Sequence, residues 1–200
     1  MPHQNRVIPT GEILAAPWRG GFTGNRGCLH DDEERLGVAR WRHPNWVCCL
    51  TDFRGRHRPI MPPGRWTALF FWDEAVALAA GHRPCGECRH ADYRRFMAAW
   101  EAAGLPGMGP AERDRVLHRA RVTRDRRQVT HRVEAAFLPD GVFLRAEDGP
   151  ALTWRGALLP WRAAGGYGPA RALPRGLAEV LTPAPSVAVL RAGYAVAPRL

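Results

Sequence analysis

The stretch that most constrains this chain is Arg83-Pro84-Cys85-Gly86-Glu87-Cys88, two thiols separated by two residues and introduced by a proline. Such a turn curls its middle pair back and aims both sulfurs at one point, so it can grip a single metal ion. Pro84 biases the residue before it away from helix, and the turn therefore starts from extended chain. Upstream, Trp66 to Phe71 reads as a strand with an aromatic end, and Asp73 stands where the cap of a short helix through Ala80 belongs. Gly81 can take the left-handed conformation that a helix end demands. Downstream, Tyr93, Phe96, Met97 and Trp100 recur at helical spacing and predict a core-facing stripe on a helix ending near Gly104. The polar side of that helix and its approach carry Arg83, Arg89, Arg94 and Arg95.

A closed tetrahedral site needs two further ligands, and Cys28, His30, Cys48 and Cys49 are the candidates. If Cys28-Leu29-His30 is extended, positions 28 and 30 share one face. Trp46 to Phe53 alternates as a strand, so Cys48 and Cys49 face opposite ways. Cys48 shares its side with Trp46 and Leu50, as a core cysteine would, which leaves Cys49 as the ligand. The expected set is His30, Cys49, Cys85 and Cys88 around Zn2+, with Cys28 the first substitute. Arg54-Gly55 suggests a hairpin turn into a second strand over residues 56–60. Glu87, between the thiols, is expected on the exposed side of the turn, which makes a structural ion the default. His82 and His90 flank the turn as outer partners of the site or as surface residues, and Asp31 to Glu34 reads as a solvated acidic loop.

The five cysteines are odd in number and include an adjacent pair, which suits metal ligation in a reducing compartment better than a disulfide framework. No apolar run approaches the roughly 20 residues that span a bilayer, and the first residues lack an apolar signal core. The expectation is a cytoplasmic protein without a membrane segment. Arg and Lys total 29 against 19 acids, for a net charge of +10, and every basic residue is arginine. Genome composition accounts for arginine over lysine; the excess over acids points to phosphate-bearing partners.

The expected fold class is α+β, with a small zinc-knuckle domain over residues 1–104 and a small α+β region over 111–200. Gly104 to Pro110 is the linker candidate, and residues 1–27 read as an extended segment broken by Gly and Pro. Ala111 to Arg121 reads as a short basic helix. From Thr130, turn signals separate Val142 to Leu144, Ala151 to Trp154 and Ala157 to Trp161, an antiparallel meander. A last short helix covers Val187 to Ala192.

Within residues 66–96, the run Phe70-Phe71, Asp73 to Ala80, Gly81, Arg83-Pro84-Cys85 and Cys88 resembles the second half of the zinc-binding domain of Ada-type DNA methylphosphotriester repair proteins. The resemblance implies a zinc ion on cysteine thiolates, one of which accepts a methyl group from DNA. That family's earlier pair of cysteines, with three residues between them, has no counterpart here. The segments Gly24-Asn-Arg-Gly27, Leu29-His30-Asp31 and Ala80-Gly-His-Arg-Pro-Cys85 are also similar to a bacterial family, a likeness that covers the first half and implies no activity. Three functions are open on this basis. The first is a zinc-binding bacterial protein associated with nucleic acid, DNA rather than RNA, as in repair, through Arg83, Arg89, Arg94 and Arg95. The second is a zinc-thiolate methyl acceptor. The third is a structural-zinc protein that binds a protein or small ligand, with Trp154, Trp161 and Tyr167 lining a pocket.

Overall fold

The structure is a computed structural model that describes residues 2–55 and 59–200. Among these residues it is α+β, with four α-helices and two six-stranded sheets. The first sheet holds β1 (Gln4–Val7), β2 (Ile13–Ala15), β3 (Phe22–Asn25), β4 (Val47–Leu50), β5 (Leu69–Phe71) and β6 (Arg83–Pro84). Their order is β2-β1-β5-β3-β4-β6. The N-terminal segment, expected to be extended without a long element, contributes three of these short strands.

Pairing is antiparallel except at β1–β5 and β4–β6. In the parallel pair, Val47 stands opposite Arg83 and Cys48 opposite Pro84. Pro84 has no N–H to give, and an edge strand is where a sheet tolerates that. The Cys-x-x-Cys turn therefore leaves the sheet edge beside β4. The expected hairpin after Arg54-Gly55 falls for the most part on residues 56–58, which lie outside the described residues, while 59–60 are not in strand. The antiparallel partner of β4 is β3, with Thr23 opposite Cys49 and Gly24 opposite Cys48. Gly24 is there because nothing larger fits. A Cβ would collide with the Val47 carbonyl oxygen and lie 2.9 Å from the Phe71 ring.

Between β5 and β6 runs α1 (Glu74–Ala79), capped by the Asp73 carboxylate, which accepts from Val76 N–H at 3.0 Å, and stopped at Gly81 with φ of +84°. All six helix residues are buried, which is why five of them are Ala, Val or Leu. Helix α2 (His90–Ala102) follows, and Phe96 and Trp100 are fully buried on it. Burial of each such aromatic contributes about 2–3 kcal/mol.

Residues 104–109 lead directly into α3 (Pro110–Arg121), and the Trp100 indole N–H donates to the Pro106 carbonyl at 3.1 Å. The second sheet comprises β7 (His131–Glu134), β8 (Phe143–Ala146), β9 (Gly149–Trp154), β10 (Ala157–Pro160), β11 (Arg171–Ala172) and β12 (Leu177–Val180), in the order β11-β10-β9-β8-β12-β7. Strands β8, β9 and β10 are the meander, and β12 returns between β8 and β7, antiparallel to both. Helix α4 (Ala184–Arg191) ends ahead of Gly193.

One apolar core takes residues from both sides of 104–110, among them Phe71, Leu78, Phe96 and Trp100 together with Phe143, Leu152, Val180 and Leu181. Polar ties cross the same boundary. Tyr167 donates to the Asp73 carboxylate at 2.7 Å, Arg199 N–H donates to it at 3.0 Å, and the Tyr194 hydroxyl donates to Glu74 at 2.6 Å. Trp161 and Tyr167 pack edge to face at 5.8 Å, with Trp18, Trp72 and Phe143 around them, and Trp154 also packs against the core. Trp161 and Tyr167 thus pack against other rings at the edge of the core, with Trp18, Trp72 and Phe143 in the space they face. Among the described residues no helix is long and apolar enough to cross a membrane.

Candidate metal centre

Strand alternation in β4 sends Cys48 into the core, fully buried, and Cys49 to the opposite side, half-buried. The backbone then fastens the turn to that strand: Cys85 N–H donates to the Cys48 carbonyl at 2.9 Å. Together these put the sulfurs of Cys49, Cys85 and Cys88 within 4.8 Å of one another. Among the described residues they are the only three His, Cys, Asp or Glu side chains so grouped.

The backbone around the triad is arranged for negative sulfur. Glu87 N–H points at the Cys85 sulfur and Leu50 N–H at the Cys88 sulfur, both at 3.4 Å. The Cys85 thiol is lowered to about 5, first by the hydrogen bond from Cys49, then by the backbone N–H groups of Cys88 and Glu87, against the opposing effect of burial. Cys49 is raised, chiefly because it is the donor in that bond, and Cys88 is raised by burial and by the neighbouring Cys85 charge. The three thiols are close enough that each one's ionisation is set by the other two. Around an ion with metal–sulfur bonds of about 2.3 Å, tetrahedral geometry separates the sulfurs by about 3.8 Å, which falls inside the 4.8 Å that bounds the triad. Three soft donors at this spacing could hold a metal ion.

His30 stands elsewhere. Its Nε2–H donates to the Pro62 carbonyl at 3.3 Å, and its Nδ1 accepts from the Thr67 hydroxyl at 2.6 Å, so no ring lone pair is left for a metal. The backbone of residue 30 forms an isolated bridge with Leu36. Cys28 is half-buried and its thiol donates to the His30 carbonyl at 3.6 Å, also apart from the triad. Of the flanking histidines, His90 is exposed with Nδ1 on the Gly86 carbonyl at 3.0 Å. His82 is fully buried, and burial holds it neutral, with Arg26 adding to the effect.

Two of the four arginines expected to face phosphates do not. Arg83 is buried and grips Asp114 of α3 bidentately, Nε to Oδ1 and Nη2 to Oδ2, each at 2.6 Å. Arg89 is buried between Glu74 at 2.8 Å and Asp92 at 2.7 Å, with its other nitrogen 3.4 Å from the Cys48 sulfur. A guanidinium so close to the apolar core needs carboxylates around it, and the fold supplies Asp114 from α3 to Arg83, and Glu74 from α1 and Asp92 from α2 to Arg89. Arg94 and Arg95 are exposed, Arg95 pairing with Asp92 at 2.5 Å.

No protein family, curated protein or solved structure matches this chain.

Proposed function

We propose that the chain is a zinc protein that associates with nucleic acid, the ion being held by Cys49, Cys85 and Cys88. The observation that carries the metal is the convergence of three sulfurs from two segments within 4.8 Å. Soft thiolates select zinc, copper(I) or iron–sulfur clusters, and an isolated set of three sulfurs on a strand and a tight turn suits a single zinc ion. Three protein ligands fill three of the four positions, and the fourth belongs to a ligand outside the triad. The zinc supplies charge that keeps the thiols deprotonated and ties β4 to the turn ahead of α2.

The nucleic-acid part rests on charge. A net charge of +10 remains after the buried pairs are formed, and Arg94 and Arg95 are exposed on the helix that starts two residues beyond Cys88. Binding of a short DNA duplex to the metal-loaded protein is expected to weaken linearly in log salt. The Arg94→Ala/Arg95→Ala variant should lower that slope by about 1–2, since each phosphate contact contributes about 0.9. Weak, salt-insensitive binding, or an unchanged slope in the double variant, contradicts the nucleic-acid assignment and leaves the metal assignment standing.

A further inference from the structure

A second concentration of positive charge lies away from the cysteines. It is built on Trp46, the residue just ahead of β4, whose ring is held between two guanidinium groups. Arg26 stands 4.1 Å from the ring centroid and Arg121, at the end of α3, 3.7 Å. Both arginines are buried, with 2% and 3% exposure, and among the described residues neither forms an ion pair with a carboxylate. Arg26 donates to neutral acceptors, the His82 ring nitrogen at 3.1 Å and the Gly11 carbonyl at 3.0 Å. Arg121 donates to the Gly81 carbonyl at 2.7 Å and to His118 Nδ1 at 2.9 Å, and its buried Nε has no partner. The nearby carboxylate, Asp114, is already taken by Arg83.

Burying a guanidinium without a counter-ion is costly, and a cation–π contact offsets only part of that cost. Burial lowers Arg26 to about 9, with the Arg40 charge adding to it. His82 and His118 give no relief, since both are kept neutral, and His118 is lowered to about 4 by burial and by Arg121.

These two arginines sit at the wall of a cavity of about 640 Å³ that is also lined by Arg40, Arg126, Arg127 and Arg145. Arg127 is paired with Asp125 and Arg145 with Glu179. Arg40 and Arg126 have no carboxylate partner among the described residues, and Glu12 is the single acid in the lining. A cavity of this size lies in the range of small-molecule sites.

We propose that this cavity is a binding site for a phosphate-bearing small anion, free or carried on an organic molecule, which supplies the counter-charge that Arg26, Arg121, Arg40 and Arg126 lack. The planar guanidinium donors match phosphate oxygens, and the low-dielectric wall behind them strengthens the attraction. The lining shares no residue with the cysteine triad, so occupancy does not depend on the metal or on nucleic-acid binding.

The test is isothermal titration of the full-length, metal-loaded protein with pyrophosphate, with ATP and with adenosine, at matched ionic strength. One saturable site per chain is expected for a phosphorylated probe and none for adenosine. Pyrophosphate binding as tightly as ATP identifies phosphate itself as the ligand; ATP binding alone identifies an organic carrier. The Arg40→Ala/Arg126→Ala variant, altered at the rim and not at the buried wall, should fold normally and bind about tenfold more weakly or worse. Arg94→Ala/Arg95→Ala should bind as wild type. No saturable binding of either phosphate probe overturns the proposal. So does an equal loss in the Arg94/Arg95 variant, or binding confined to a DNA duplex.

Discussion

Replacement of Cys88 by serine is expected to remove the metal and to lower the thermal unfolding midpoint, while leaving a folded core. The sulfur of Cys88 completes the triad with Cys49 and Cys85 and receives the Leu50 N–H at 3.4 Å. A serine at this position keeps the size and loses the soft donor. Apparent zinc binding of about 10–16 kcal/mol in structural sites, divided over four ligands, assigns roughly 3 kcal/mol to each thiolate, or about a hundredfold in affinity. The loss is local, because Phe96, Trp100 and Leu78 make the core without help from the triad. A chelator should therefore reproduce the effect in the wild type and add nothing in Cys88→Ser. Equal midpoints for wild type with and without chelator would contradict this account.

The second large effect is expected at Arg83. Its bidentate pair with Asp114 joins the edge strand β6 to α3, with side-chain exposures of 7% and 4%. Truncation to alanine leaves the Asp114 carboxylate buried beside Arg121 without its partner, and breaking a buried pair from one side costs about 3–5 kcal/mol. Urea unfolding of Arg83→Ala should show that loss. The double replacement Arg83→Met/Asp114→Leu should recover much of it, because removing both charges also removes both desolvation costs. A loss below about 1 kcal/mol for Arg83→Ala would place the pair among surface ion pairs in its energetics.

What was legible in the sequence followed from short-range rules. The Cys-x-x-Cys spacing placed Cys85 and Cys88 together, and strand period separated the roles of Cys48 and Cys49 one residue apart. The cap at Asp73, the stop at Gly81 and the stripe from Tyr93 to Trp100 are likewise local features that the fold reproduces.

The rest was set by long-range contacts. His30 was assigned from a shared face with Cys28, but its ring orientation is decided by Thr67 and Pro62, more than thirty residues away. Arg83 and Arg89 read as surface charges because Asp114 and Glu74, which bury them, are brought close only by the fold. Strands β7 and β12 carry no clear strand signal, because each is half-polar and they pair across some forty residues, with Glu179 opposite Arg132. The Arg26–Trp46–Arg121 stack left no local signature at all. It forms only because the fold brings Arg26, next to β3, and Arg121, at the end of α3, onto the same Trp46 ring.

Cys49, Cys85 and Cys88 are expected to bind one metal ion together. Elemental analysis of the purified wild type, with X-ray absorption at the edge of the metal found, tests it most directly. The account predicts one zinc per chain with three sulfur neighbours at about 2.3 Å, and loss of the metal in Cys49→Ala as in Cys88→Ser. A protein that folds and purifies without metal, or one that keeps its full metal content in Cys49→Ala, would contradict it.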